Sequence, residues 1–316
     1  MLSESMANES EFSEFVLVGF PGLPQRFHIG VGILIFLVYN VSLCANLTVI
    51  VLIFLKEHLH QPMYIVIASL AIADLLFDTS TLPKIIAKYW FGVGSMTFMG
   101  CFLQMTIVHT LNPLDSLIIM LMAVDRYVAI CKPLRYHSII GNRRIIIICI
   151  SLYTVAIVTG ICVMYLAYCL PYIGSNNVKN FFCSIGTVAV TTSLNPTQTL
   201  LKAYYIGLAC HLGPLSFIIF SYSIILTKAC STARSESWNK ALYTCVTHWF
   251  VIGTYNVPRL LVYTYEQTKK PQVDIYVSLI CLYTFVPHFM SPIIFCLRTE
   301  EIKKTLRSIF KRRNNS

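Results

Sequence analysis

Asp74, Asp115, Arg259 and His288 are ionisable residues set inside otherwise apolar runs of this chain. A charge in such a place is costly unless it is paired or used. Around two of them the spacing is informative. His109, Asn112, Asp115 and Ser116 recur at separations of three or four, which puts them on one face of a helix, and Asn256, Arg259 and Tyr263 do the same beside Pro258. Such stripes offer hydrogen-bond donors and acceptors on an apolar wall, which is the chemistry of small-molecule recognition. They serve either an internal cavity or hydrogen bonds to neighbouring helices. Likewise Arg259 either faces a cavity or snorkels to the surface. Asp74 and Asp115 cannot both stay ionised and unpaired at such depth, so they need a cation, a shared proton or a basic neighbour. His288, one turn before Ser291, can be that neighbour when protonated.

Chemistry that breaks bonds is harder to find. There is no Gly-rich phosphate loop, no Cys-x-x-Cys pair and no His-Glu-x-x-His, and the histidines are scattered. The expectation is therefore not an enzyme and no cofactor, a sodium ion aside.

The elements that hold these residues follow from composition. With 56% hydrophobic and 12% charged residues among 316, two soluble domains are improbable. The apolar residues form runs at about 29–55, 63–87, 98–124, 145–170, 199–227, 241–264 and 273–297. Each can cross a hydrocarbon core of about 30 Å, which takes about 20 helical residues, and backbone groups in lipid force these segments into helices. The expected fold is an all-α membrane protein, a bundle of seven transmembrane helices. At about 1.5 Å per residue, His109 and Asn112 lie roughly 12 and 16 Å below Cys101, at pocket depth. Pro113 interrupts the helical ladder near that floor, and Pro258 makes a hinge.

The net charge of +10 does not point to nucleic acid, because the basic residues gather on alternate connections and in the tail. Lys132, Arg135, Arg143 and Arg144 follow the third run, Lys228, Arg234 and Lys240 the fifth, and Arg298, Lys303, Lys304, Arg307 and Arg312 the seventh, whereas Glu4, Glu9, Glu11 and Glu14 dominate the start. This bias puts the N-terminus outside and the C-terminus in the cytoplasm. The organisation is then an extracellular segment 1–28, a receptor domain 29–297, and a cytoplasmic amphipathic helix and tail 298–316 on the inner leaflet. No cleavable signal is visible, and the first run serves as insertion signal. Asn8 is the expected glycan acceptor, because the other Asn-x-Ser/Thr matches fall in the first span or the tail. Of the 12 cysteines, Cys101, Cys169 and Cys183 lie outside. Residues 171–198 read as a long structureless loop acting as a lid.

Asp125-Arg126-Tyr127 closes the third run within a longer string, Met122 to Tyr136, and resembles the rhodopsin-like G-protein-coupled receptors. That string, with Leu59-His60-Gln61-Pro62-Met63-Tyr64, Ser221-Tyr222, and the run from Lys240 to Cys245 with His248, resembles the odorant receptors. Gln104-Met105, His109-Thr110 and Val257-Pro258 are similar to the fish-like class I branch. The resemblance implies a Cys101–Cys183 bridge, a sodium ion at Asp74, Asp115 and Ser291 for which His288 can substitute, and coupling through Asp125, Arg126, Tyr127, Tyr222, Lys240, Pro258 and Pro292. It further implies a stimulatory, olfactory-type heterotrimeric G protein, cAMP, and a plasma-membrane location in cilia of olfactory neurons. The chain departs from the pattern at Ser291 and Phe295, where the family has Asn and Tyr. It departs again at Asn256, which replaces an aromatic residue, and in lacking a tryptophan in the fourth span. Arg259 and His109 can both donate to an anion, and an uncompensated arginine in an apolar cavity is costly. The ligand expectation is accordingly a small, acidic, water-soluble odorant, with Tyr263, Ile206 and Ile185 shaping its apolar part and Asn112 and Asn256 in the same pocket. The alternatives are a receptor for a hormone or peptide, and a transporter or channel. The last should show inverted repeats, and none is found.

Overall fold

The computed structural model describes residues 13–172, 175–231, 235–266, 272–298 and 302–304. Seven long helices carry the chain: α1 His28–Leu55, α2 Pro62–Phe91, α3 Phe98–Cys131, α4 Asn142–Tyr168, α5 Thr197–Ser231, α6 Ser235–Glu266 and α7 Val273–Arg298. Their ends follow local chemistry. Pro62 opens α2, where its missing N–H costs nothing. Gly92, at φ 72, ends the same helix in the left-handed conformation. Thr97 caps α3 by accepting the Gly100 N–H at 3.1 Å.

The bundle is built around α3, which touches α2, α4, α5 and α6, while α7 packs between α1 and α6. The α3–α4 approach is close enough that a Cβ on Gly160 would come within 2.8 Å of the Thr106 carbonyl oxygen. Glycine is needed there. Among the described residues five helices are long and apolar enough to cross a membrane, and α3 and α6 are not among these five. Those two carry the polar stripes. Outward-facing Phe54, Ile150 and Phe220 are exposed, as a hydrocarbon solvent requires.

The chain is mostly helical, as expected, and a small three-stranded sheet, which was not expected, closes the disulfide end. Its strands β1 Glu14–Leu17, β2 Ser95–Thr97 and β3 Asn177–Val178 lie in the order β2-β1-β3, with β1 antiparallel to β2 and parallel to β3. Phe15 and Leu17 are fully buried, and Phe15 packs against the rings of Phe98, Phe102 and Tyr172. Burial pushes the Tyr172 phenol above its ordinary range, so it remains a donor, to the Ala167 carbonyl at 2.8 Å.

The segment 171–198 is likewise not structureless. It contributes β3 and a helical turn Ile185–Val188, and Phe181, Phe182 and Cys183 are buried. Its order comes from non-local partners. Cys183 is bonded to Cys101 with their Cα atoms 5.5 Å apart, and the Cys183 N–H donates to Gln104 Oε1 at 2.8 Å. Gln104 in turn donates to the Ser80 carbonyl at 2.7 Å, which ties the segment to α2 as well as α3. In the tail Ile302 is buried on a short helical stretch, 302–304, and the rest of the expected amphipathic helix lies outside the described residues.

Candidate ligand-binding site

Below the sheet lies a cavity of about 480 Å³, walled by α3, α4, α5, α6, α7 and the Ile185 turn. It falls within the range of about 300–1,000 Å³ usual for small-molecule sites. His109, Asn112, Arg259, Tyr263, Ile206 and Ile185 all line it. Two polar stripes on neighbouring helices thus meet across one space. His109 Nε2 accepts the Ile185 N–H at 3.2 Å, which leaves Nδ1 to carry the ring proton. Asn256 is a correction: it donates to the Ile252 carbonyl at 2.9 Å on its own helix, and is not among the residues lining the cavity. His211, Tyr204, Tyr276 and Tyr283, which sequence reasoning passed over, do line it. His211 Nδ1 lies 2.6 Å from the Gly207 carbonyl and 3.2 Å from the Tyr263 hydroxyl.

Arg259 neither snorkels nor lacks a counter-charge. It is 3% exposed and donates to Asp115 Oδ2 at 3.0 Å, Asn112 Oδ1 at 3.2 Å and Ser116 Oγ at 3.1 Å. The premise of an uncompensated arginine is therefore overturned. The helix spacing that gave α3 its stripe also makes it a three-acceptor cradle.

Beneath that pair the polar residues continue. His288 Nδ1 lies 2.8 Å from Asp78 Oδ1, and its Nε2 lies 3.6 Å from Asp74 Oδ1 and 3.9 Å from Asp115 Oδ2. Asp74 also accepts from Ser291 Oγ at 2.8 Å and from the Tyr255 hydroxyl at 3.1 Å, while Asp78 accepts from Ser42 Oγ at 2.5 Å. Asn46 reaches the His288 carbonyl at 3.2 Å. One buried network thus joins α1, α2, α3, α6 and α7. Asp78 and Tyr255 were missed by sequence reasoning, although Asp78 stands one turn after Asp74 on the same face.

Asp74, Asp115 and His288 lie close enough together to be tested against a sodium ion. They fit it poorly. A hard cation takes oxygen ligands, yet a ring nitrogen stands between the two carboxylates and Asp115 is already engaged by a guanidinium.

At the opposite end of the bundle Asp125 accepts from the Tyr136 hydroxyl at 2.7 Å. Burial and the Asp125 carboxylate hold the Tyr136 phenol well above its ordinary range, so it stays protonated as the donor. Arg126 Nε is buried without a hydrogen-bond partner among the described residues. Lys228 on α5 donates to the Cys131 carbonyl at 2.6 Å, and the buried Tyr222 ring lies 5.5 Å from that of Trp249. Tyr127 is partly buried against the core. Pro258 lies within α6 and Pro292 within α7. Asn8 and the Lys240 side chain lie outside the described residues.

A family model described as olfactory receptor matches residues 35–313. The chain is 31% identical over 313 residues to olfactory receptor 56A1 of Homo sapiens, covering 99% of this chain and 98% of that one. It is 32% identical over 313 residues to olfactory receptor 56A4 of Homo sapiens, covering 99% and 100%. To olfactory receptor 1A1 of Pan troglodytes it is 30% identical over 312 residues, covering 98% and 99%. With apolar spanning helices, a cavity between them and relatives matched along nearly its whole length, this multi-pass membrane chain belongs to the olfactory receptor family.

Proposed function

We propose that this chain is a plasma-membrane odorant receptor, N-terminus outside and C-terminus in the cytoplasm. It holds a small odorant in the cavity between α3 and α6 and passes that occupancy to a stimulatory, olfactory-type heterotrimeric G protein, raising cAMP. The observation that carries the reading is the Arg259 cradle. Arg259 touches the cavity on one side and Asp115 on the other, and Asp115 lies against the His288 network, so a ligand that shifts α6 also disturbs α3 and α7. Pro258, one residue before Arg259, gives α6 its hinge. At the far end Arg126, Tyr222 and Lys240 would receive the G protein once α6 moves. In this reading His288 takes the place of the sodium ion that the family resemblance implies, Asn8 carries a glycan, and the basic tail lies on anionic lipid.

The acid-odorant expectation keeps its size and loses its electrostatic reason, since Asp115 already balances Arg259. Expression in cells with an olfactory-type G protein and a broad odorant panel tests the function. Ligand-evoked cAMP is expected, together with its loss in Arg126→Ala at equal surface level. Ligand-dependent current or uptake without cAMP would favour the transporter reading.

A further inference from the structure

We propose that the cavity takes a neutral odorant, an apolar body carrying one uncharged hydrogen-bond acceptor such as a ketone or ester oxygen, and discriminates against the carboxylate of the same carbon skeleton. The proposal rests on the receptor reading above and names the ligand class of that site.

Among the described residues lining the cavity no carboxylate occurs, and the one residue ionised at every physiological pH is Arg259. Its positive charge is committed. Three acceptors on α3 hold it, one of them a carboxylate at 3.0 Å that is itself 1% exposed. A ligand anion would shed its water and meet one arginine already shared with Asp115, leaving two negative charges around one positive charge at a guanidinium that is itself 3% exposed. A cationic ligand would meet Arg259 with no lining carboxylate to offset it. A neutral ligand avoids both costs.

What remains in the wall is neutral and suited to a single polar atom. Tyr204 lines the cavity beside Tyr263, whose hydroxyl already lies 3.2 Å from His211 Nδ1, and His109, whose Nε2 is occupied by the Ile185 N–H, has its proton on Nδ1. A carbonyl oxygen accepts two hydrogen bonds and carries no charge, so it can use such donors without disturbing the Arg259 pair. The apolar body has Val163, Ile206 and Ile280 to rest on.

The test uses matched straight-chain methyl ketones and carboxylates of about six to ten carbons, sized to a pocket of this class. Dose–response curves for cAMP are recorded at neutral pH, where the acids are ionised. The wild-type receptor should answer the ketones at concentrations at least about tenfold lower than the acids of equal length. Asp115→Asn, which leaves Arg259 without its counter-charge, should improve the response to acids relative to ketones by about tenfold. Acids equal to or better than ketones on the wild type would overturn the proposal. So would an Asp115→Asn receptor that reaches the surface, answers ketones and gains nothing for acids. If that variant is not delivered to the surface, the wild-type comparison decides alone. Silence towards both series, with responses elsewhere in a broad panel, overturns this ligand class and leaves the receptor reading standing, whereas silence of the whole panel removes that reading.

Discussion

A guanidinium buried between two helices is stable only while its acceptors stay in place, and Arg259 has three of them on one face of α3. Arg259→Ala would strand Asp115, and breaking such a pair costs about 3–5 kcal/mol. The expected outcome is a lower melting temperature in detergent and lower surface delivery. Asp115→Leu combined with Arg259→Met, which removes both charges and keeps the volume, should recover most of the loss. A single alanine variant as stable as the parent would show that the pair carries no such weight. His288 admits a second measurement at this scale. Exchanging potassium for sodium at constant ionic strength should leave the melting temperature of the parent unchanged, whereas His288→Ala should become sodium-stabilised. A parent already stabilised by sodium would return the ion to this site. The stripes that supplied these residues were legible from spacing alone, because three- and four-residue repeats define a helix face. Their partnership was not. Which acid meets Arg259 depends on how α6 is rotated against α3, and no local pattern encodes that angle.

At the scale of elements, the small sheet does for the disulfide end what helix packing does for the rest. β1 lies between two strands distant in sequence, and Phe15 anchors it in a cluster of aromatic rings. Truncating a buried phenylalanine costs about 3–5 kcal/mol. Phe15→Ala should therefore loosen the sheet, measured as faster amide exchange at residues 95–97 and 177–178, while α1 and α7 exchange as before. Cys183→Ser should act more broadly and reduce surface staining, since the same bond also fixes the segment that touches His109. Surface staining equal to the parent's would sink that expectation. The helices themselves were readable as apolar runs, and α3 and α6 differ from their runs mainly in extending past them. The sheet was not readable. Its strands have 4, 3 and 2 residues, too short for an alternating pattern to stand out, and their pairing partners lie far away in the chain.

For the whole molecule the telling contrast is between an apolar exterior and a polar axis. Phe54, Ile150 and Phe220 face outward, whereas Asp74, Asp78, Asp115, Arg259 and His288 are gathered inside. A photoreactive lipid should accordingly label peptides from the outer faces of α4 and α5 and spare the 111–119 stretch of α3. Strong labelling of that stretch would mean that this part of α3 meets lipid and not the bundle interior. The sheet also has a bearing on how the chain is made. β1 is synthesised before either strand it pairs with, and its parallel neighbour ends at Val178. Translation runs at about 5–20 residues per second, so the first strand waits roughly 10–30 s for its last partner. Until then Phe15 and Leu17 are available to any chaperone on that side of the membrane. Closure of the sheet thus requires the segments before α1, between α2 and α3, and after α4 to reach the same side of the membrane, a condition that tests the threading of the first four helices while the last ones are still to be made.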